Sequence, residues 1–381
     1  MTAPGVPLAT ILREWGRIGV LGFGGPPTHI RMLRDTVVER RGWIDAVEFE
    51  DAIATCNLLP GPASTQLSIY TAWRLRGPAG AMTGGLAFIL PGLVLILALS
   101  GLFLGDPPAW VLGAGAGAGA AVAAVAIHAG WGLTPASFSR RTSMRWFIWL
   151  VIGAAASATV GPWLVLVLLG CGVTELLIRR PTDAGPRERR GPNAVVLPLV
   201  AKVALMTGGV GVLLPLALTA LKVGALSYGG GFVIVPLMQG DAVDGRGWMT
   251  QGEFLNAVAL GQVTPGPVVH TVAVVGWAAA GLGGALLAAG VAFAPSFLFV
   301  LLGGRHFSAL RADTRVRTFL DGAGPAAIGA IHGSAVPLAR SLTDAWQWGV
   351  LAGALVLLLA LRRGVVLTLV LAAAAGVLST L

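Results

Sequence analysis

The sequence predicts an all-α integral membrane protein made of two inverted-topology repeats with broken, discontinuous helices, about 10–13 membrane segments in all. Three observations predict it. Hydrophobic residues are 55% of the 381 residues, charged residues only 11%, and the mean hydropathy is +0.80; a soluble domain carries about 25% charged residues. Apolar stretches long enough to cross ~30 Å of hydrocarbon recur, and they are continuous runs of Leu, Ala, Val and Gly rather than alternating ones, which selects helices over a barrel. Finally, one segment occurs twice. Pro60-Gly61-Pro62 returns as Pro265-Gly266-Pro267, and the same shift of 205 positions takes Gly24-Gly25 to Gly229-Gly230, Arg41-Gly42-Trp43 to Arg246-Gly247-Trp248, Glu48-Phe49 to Glu253-Phe254, Arg17 to Lys222 and Phe23 to Tyr228.

The elements follow in order. Residues 8–22 are an apolar segment interrupted by Arg13, Glu14 and Arg17, ending in Gly22-Phe23-Gly24-Gly25-Pro26-Pro27. Glycine permits unusual dihedrals and proline removes a donor, so a helix breaks there. Residues 28–42 are a polar helical stretch; 45–58 and 62–76 flank a second break at Pro60-Gly61-Pro62. Spans follow at about 80–104, 109–131, 145–158 and 161–178, the last two joined at Gly161-Pro162. Residues 179–193 form a hydrophilic linker with five arginines, and 194–212 an extra span without a counterpart. The second copy breaks at Gly229-Gly230-Gly231 and at Pro265-Gly266-Pro267, with later spans at about 281–303, 317–338, 345–361 and 363–380. The expected organisation is therefore a first repeat at 1–178, a basic cytoplasmic linker plus extra span at 179–212, and a second repeat at 213–381. The Gly-Ala run 113–121 reads as a close-packing helix face.

Loop charges orient the copies. Arg74 and Arg76 precede span 80–104, and Arg140, Arg141 and Arg145 follow span 109–131; in the second copy the loop after 281–303 carries Arg305, Arg311, Arg315 and Arg317, and the last tight turn is Arg362-Arg363 instead of neutral. Positive loops stay on the cytoplasmic side, so the copies run in opposite senses and the span 194–212 supplies the odd crossing. The net charge of +9 lies in loops and reports topology; no basic run interleaved with aromatics points to nucleic acid. Cys56 and Cys171 sit in apolar sequence without metal-ligand spacing or a disulfide framework, the first eight residues do not read as a removable signal peptide, and no cofactor or nucleotide fingerprint is present.

A helix broken in mid-membrane leaves backbone N–H groups that need a cavity or a ligand, and a helix N-terminus favours an anion. Four half-helix starts are expected to converge near the midplane. Gly24, Gly25, Gly61, Gly229, Gly230 and Gly266 admit close ligand approach, and Pro62 and Pro267 suit the first position of a new helix. Arg17 and Lys222 are equivalent cations, costly inside a bilayer at ~2.5–3.5 kcal/mol on insertion scales, and suit a small oxyanion; the competing reading of Arg17 is a side chain reaching to the membrane surface. Asn57 and Gln262 precede their prolines by three residues and offer amide donors; His29 titrates or donates; Gln66 and Thr65 follow the first Pro-Gly-Pro, and His270 and Thr271 occupy the matching stretch. Glu48 and Glu253 are either proton-coupling carboxylates or helix-start caps, with capping favoured. His128 and His332 carry little signal.

Several of these motifs resemble the chromate ion transporter family: Phe23-Gly24-Gly25-Pro26 with His29, Leu58-Leu59-Pro60-Gly61-Pro62 with Gln66-Leu67, Gly84-Gly85 followed by Phe88-Ile89-Leu90-Pro91-Gly92, and Tyr228-Gly229-Gly230-Gly231 with Gly261-Gln262-Val263-Thr264-Pro265-Gly266-Pro267. The resemblance covers nearly the whole chain and implies the long two-domain form. It implies efflux of chromate across a bacterial inner membrane, driven by the electrochemical gradient and conferring chromate resistance. Sulfate, a tetrahedral dianion of similar shape and charge, is the alternative substrate. The expected partners are the oxyanion, the lipid bilayer and a second copy in a homodimer. A membrane enzyme lacks a polar catalytic cluster in this sequence, and a channel lacks a ring of pore residues.

Overall fold

The first arm of the molecule ends where glycine and proline demand it. α1 (Leu8–Leu21) stops at Gly22, and α2 (Pro26–Arg34) starts after Gly25 with two prolines in its first turn. α2 runs into a π-helical turn, Asp35–Arg40. At ~1.5 Å per residue α1 is ~21 Å long, too short to cross ~30 Å of hydrocarbon. The computed structural model, which describes residues 5–56, 61–105, 107–139, 144–159, 163–179, 211–227, 234–303 and 313–380, folds α1 and α2 into a hairpin. At its base Glu14 of α1 accepts from Arg40 (3.0 Å) and Arg41 (2.5 Å). α3 (Ala46–Cys56) and the first part of α4 (Ala63–Phe103) form a second hairpin, with Glu48 paired to Arg74 at its base and Gly61 and Pro62 leading into α4 at the other end. Trp15 fastens the two hairpins by donating its Nε1–H to the Ser68 carbonyl at 2.8 Å.

α4 breaks at Arg76 and Gly77, whose backbone is non-helical, so a hairpin arm and the long span 78–103 share one element. α5 (Ala109–Ser139) returns, followed by α6 (Arg145–Thr159) and α7 (Leu164–Arg179). The second half repeats this order: α8 (Leu213–Leu226), α9 (Ile234–Gln239) with the π-helical turn Gly240–Gly245, α10 (Gln251–Val263), a 3-10 turn Val268–His270, α11 (Thr271–Gly303), α12 (Thr314–Arg340), α13 (Ala345–Leu355) extended by a π-helical turn to Ala360, and α14 (Val365–Leu378). No strand occurs among the described residues. Three helices have the length and hydropathy of membrane spans: Ala63–Phe103, Ala109–Ser139 and Val268–Gly303.

Local geometry recurs at matched positions. Ala280 and Gly281 break α11 as Arg76 and Gly77 break α4, one residue short of the 205 shift. Gly42 and Gly247 share φ near +60°, and Arg41 and Arg246 each lie 5.4 Å from the ring of Trp43 and Trp248. The halves interlock: α5 packs on α13 and α14, α12 packs on α6 and α7, and α4 meets α11. Small residues allow this close approach. A Cβ at Gly153, Gly329 or Gly376 would stand 1.9, 1.8 or 1.9 Å from a carbonyl oxygen of the facing helix. Where α6, α7 and α12 meet, the buried Glu175 accepts from Arg145, Arg179 and the Trp149 indole, and Arg179 also reaches Asp321. The linker and extra span expected at 179–212 fall almost wholly outside the described residues.

Candidate functional site where the helix breaks meet

The central glycine of each Pro-Gly-Pro approaches the end of the other half's first helix. Gly266 donates its N–H to the Gly22 carbonyl at 3.0 Å, and a Cβ on Gly61 would lie 3.4 Å from the Gly224 carbonyl. Two close approaches repeat beneath these tips. α1 meets α4 at Gly19, where a Cβ would stand 2.7 Å from the Phe88 carbonyl oxygen, and α8 meets α11 at Gly224, where a Cβ would stand 2.0 Å from that of Ala292. Gly92, also on α4, abuts the Pro265 carbonyl and the His270 ring, so its lack of a side chain lets the second Pro-Gly-Pro turn sit down.

His29 links the tips. It is completely buried, its Nε2 stands 2.8 Å from the Gly22 carbonyl and its Nδ1 3.3 Å from Ser64 Oγ, and its ring meets Phe88 edge-on at 5.0 Å. A carbonyl only accepts, so Nε2 carries the proton; in the neutral ring Nδ1 then accepts from the Ser64 hydroxyl. Gly22 oxygen thus receives both His29 of its own half and Gly266 of the other.

The helix starts differ in what they leave free. α2 offers little: Pro26 and Pro27 have no N–H, and the amides of Thr28 and His29 both go to the Gly25 carbonyl. The expectation of four donor-rich helix starts fails at this one for that reason. α4 begins one residue later than expected, with Pro62 as its N-cap, and its counterpart begins at Val268 after Pro267. Among the described residues no backbone carbonyl receives the amides of Ala63, Ser64 or Thr65, nor those of Val268 or Val269, and all five residues are buried. The hydroxyls of Thr65, Ser68, Ser227 and Ser296 and the Gln262 amide nitrogen are buried without a hydrogen-bond partner among the described residues, and the wholly buried His270 ring lies in the same 3-10 turn as Val268 and Val269. Unpaired polar groups held out of water cost several kcal/mol each in hydrocarbon, so buried donors at and beside these helix starts suit a ligand that accepts hydrogen bonds.

The other sequence candidates sit elsewhere or in other roles. Lys222 is 2.5 Å from Asp241, which also accepts from Thr219, and its side chain is 39% exposed. Arg17 is exposed in a cleft at the hairpin base with Arg13, Glu14, Arg40 and Arg41. Glu253 forms a capping box with Thr250, its carboxylate on the Thr250 N–H and its own amide on the Thr250 hydroxyl. Glu48 lies in the first turn of α3 and pairs with Arg74. Gly24 and Gly25 hold positive φ of 96° and 75° at the tip. Gln66 packs its amide against Gly61. Asn57, Gly229 and Gly230 lie outside the described residues. Sequence reasoning missed Ser64 as the partner of His29, and Asp241 as the partner of Lys222; an acidic residue in an otherwise apolar arm was the signal for the latter.

A family model described as "Chromate transporter" matches the chain twice, at residues 9–176 and 214–377. The chain belongs to the chromate transporter family. A chromate transport protein of Cupriavidus metallidurans is 33% identical over 90% of this chain and 86% of its own length. A probable chromate transport protein of Synechococcus elongatus is 31% identical over 90% and 87%, and a chromate transport protein of Pseudomonas aeruginosa 31% over 85% and 79%. No solved structure matches. This chain is thus a helical membrane transport protein, not an enzyme, and its glycine and proline breaks lie inside both matched stretches.

Proposed function

We propose that this transporter moves chromate outward across the bacterial inner membrane, conferring chromate resistance, with the anion held where the tips of the two halves meet. The observation that carries this reading is the pair of buried helix starts, at Ala63 and Val268, whose first amides lack backbone acceptors among the described residues. Helix N-termini bind oxyanions through such N–H groups and the positive end of the dipole. Gly61, Gly266 and the Gln66 and Gln262 amides frame the starts, and His29 joins them to Gly24 and Gly25. The names of the relatives supply chromate; a lining of neutral donors separates chromate from sulfate only weakly, since both are tetrahedral dianions.

Charge asymmetry of the loops supports opposite orientations of the two halves, and repeats of that kind carry substrate by rocking about a fixed central site. In this reading the Gly266–Gly22 hydrogen bond and the His29–Gly22 bond close the tips, and rocking parts them so that the anion replaces the carbonyl as acceptor. The test is uptake of labelled chromate into inverted proteoliposomes, with sulfate as competitor and with or without a pH gradient. His29→Ala lowers the flux at least tenfold while the protein stays folded. Sulfate exchanging as fast as chromate converts the assignment to a general oxyanion carrier; flux unchanged in His29→Ala removes the tips as the site.

A further inference from the structure

We infer that the base of the first hairpin is a second oxyanion-binding site, distinct from the tips and specific to the first half. A cleft of about 450 Å³ is lined there by Arg13, Glu14, Arg17, Arg40 and Arg41. Four guanidinium groups line it against the Glu14 carboxylate, and Asp35 also pairs with Arg40 at 3.3 Å from the cleft's edge. Glu14 is the organiser: it is only 5% exposed, and its two oxygens take Arg41 at 2.5 Å and Arg40 at 3.0 Å, with Arg13 at 3.5 Å. Each guanidinium carries five N–H donors in a rigid fork, so Glu14 and Asp35 together leave most of the roughly twenty donors and about two positive charges unmatched. Arg17 takes part in none of the cleft's ion pairs among the described residues. Like charges gathered at a membrane face repel unless an anion sits among them, and planar forks match the oxygens of a tetrahedral oxyanion in pairs.

The duplication supplies the control. The positions equivalent to Arg13, Glu14, Arg17, Arg40 and Arg41 are Leu218, Thr219, Lys222, Gly245 and Arg246, and Lys222 is already neutralised by Asp241. The backbone of the hairpin therefore does not require the cleft's charge. The ligand chemistry is a sulfate-, chromate- or phosphate-like group. It has two sources: free oxyanion drawn from solution, or the phosphate of a lipid whose chains lie on the exposed Leu12, Val20 and Leu21 of α1.

The site goes beyond the transport reading, because it is measured by binding without flux. Full-length protein in phosphatidylcholine nanodiscs is dialysed against radiolabelled sulfate. Arg13→Gln/Arg17→Gln, which leaves the Glu14 pairs with Arg40 and Arg41 in place, weakens sulfate binding about tenfold or more, and added sodium chloride weakens the wild-type binding further. In phosphatidylglycerol discs, loss of sulfate binding together with phosphatidylglycerol that co-purifies with wild type and not with the variant identifies a lipid phosphate as the occupant. Sulfate binding retained in those discs identifies the free anion. Sulfate affinity and lipid retention both unchanged in the double variant overturn the site. So does sulfate binding that disappears in His29→Ala and persists in Arg13→Gln/Arg17→Gln, which assigns all binding to the tips. Binding kept by a His29→Ala protein that no longer transports separates the two sites.

Discussion

The bases of the two first hairpins share a backbone and differ in charge. Both have a π-helical turn, a positive-φ glycine and an arginine over a tryptophan at 5.4 Å. In the first half a buried glutamate gathers arginines and leaves a positive excess; in the second, Lys222, Asp241 and Thr219 close on one another. The difference teaches that the turn geometry is fixed by glycine and by packing, whereas the charges on it are free to diverge. Two faces of one duplicated scaffold then treat an anion differently, one attracting it and one nearly indifferent.

The sharpest way to break this comparison is Glu14→Ala. It removes the buried carboxylate that joins Arg40 and Arg41, leaving Arg40 only its exposed pair with Asp35. Breaking a buried pair costs about 3–5 kcal/mol, and the half-exposed arginines reduce that to roughly 2–3 kcal/mol. Thermal unfolding in detergent should fall by several degrees; an unchanged midpoint means that the arginines are held by other contacts and the cleft is not organised by Glu14. Lys222→Met should cost less, roughly 1–2 kcal/mol, because both partners retain some solvent. Its informative companion is Lys222→Met/Asp241→Asn. Stability and chromate flux both returning would make Lys222 a hairpin fastener; a folded double variant without flux would return Lys222 to the transport pathway. The smallest effect is expected at the equivalent glutamates. Glu253→Gln weakens a capping box by up to about 1 kcal/mol and should leave the pH dependence of flux in place. A flattened pH profile would instead give Glu253 a proton-coupling role that its capping geometry does not suggest.

Much of the architecture is legible in the chain. Gly22-Phe23-Gly24-Gly25-Pro26-Pro27 and the two Pro-Gly-Pro turns mark the breaks because proline and glycine act through their own backbones, whatever surrounds them. The kink at Arg76-Gly77 is legible too: Gly77-Pro78 separates the arm 62–76 from the span that starts near 80, and the non-helical dihedrals fall at that boundary. The site is legible in part. Gln262 stands out as a polar group in apolar sequence and His29 by its place just after the Gly24-Gly25-Pro26-Pro27 break, but the Ser64 partner of His29 is 35 residues away, and no local pattern encodes that distance. Arg17 and Lys222 read as one pair of site cations because they share a repeat position; their surroundings, contributed by Arg40, Arg41 and Asp241 from the returning arm, give them different roles.

By itself the sequence determined the bilayer as solvent, the helical class, the duplication and the positions where helices stop. These follow from composition and from local backbone chemistry. Only the tertiary structure decided which break meets which: that Gly266 of one half binds Gly22 of the other, that α2 starts with its amides spent on Gly25 while those of α4 find no backbone acceptor among the described residues, and that three arginines share the Glu14 carboxylate. Such outcomes depend on through-space contacts between arms 19 to more than 200 residues apart, where burial and pairing, rather than propensity, set the energy.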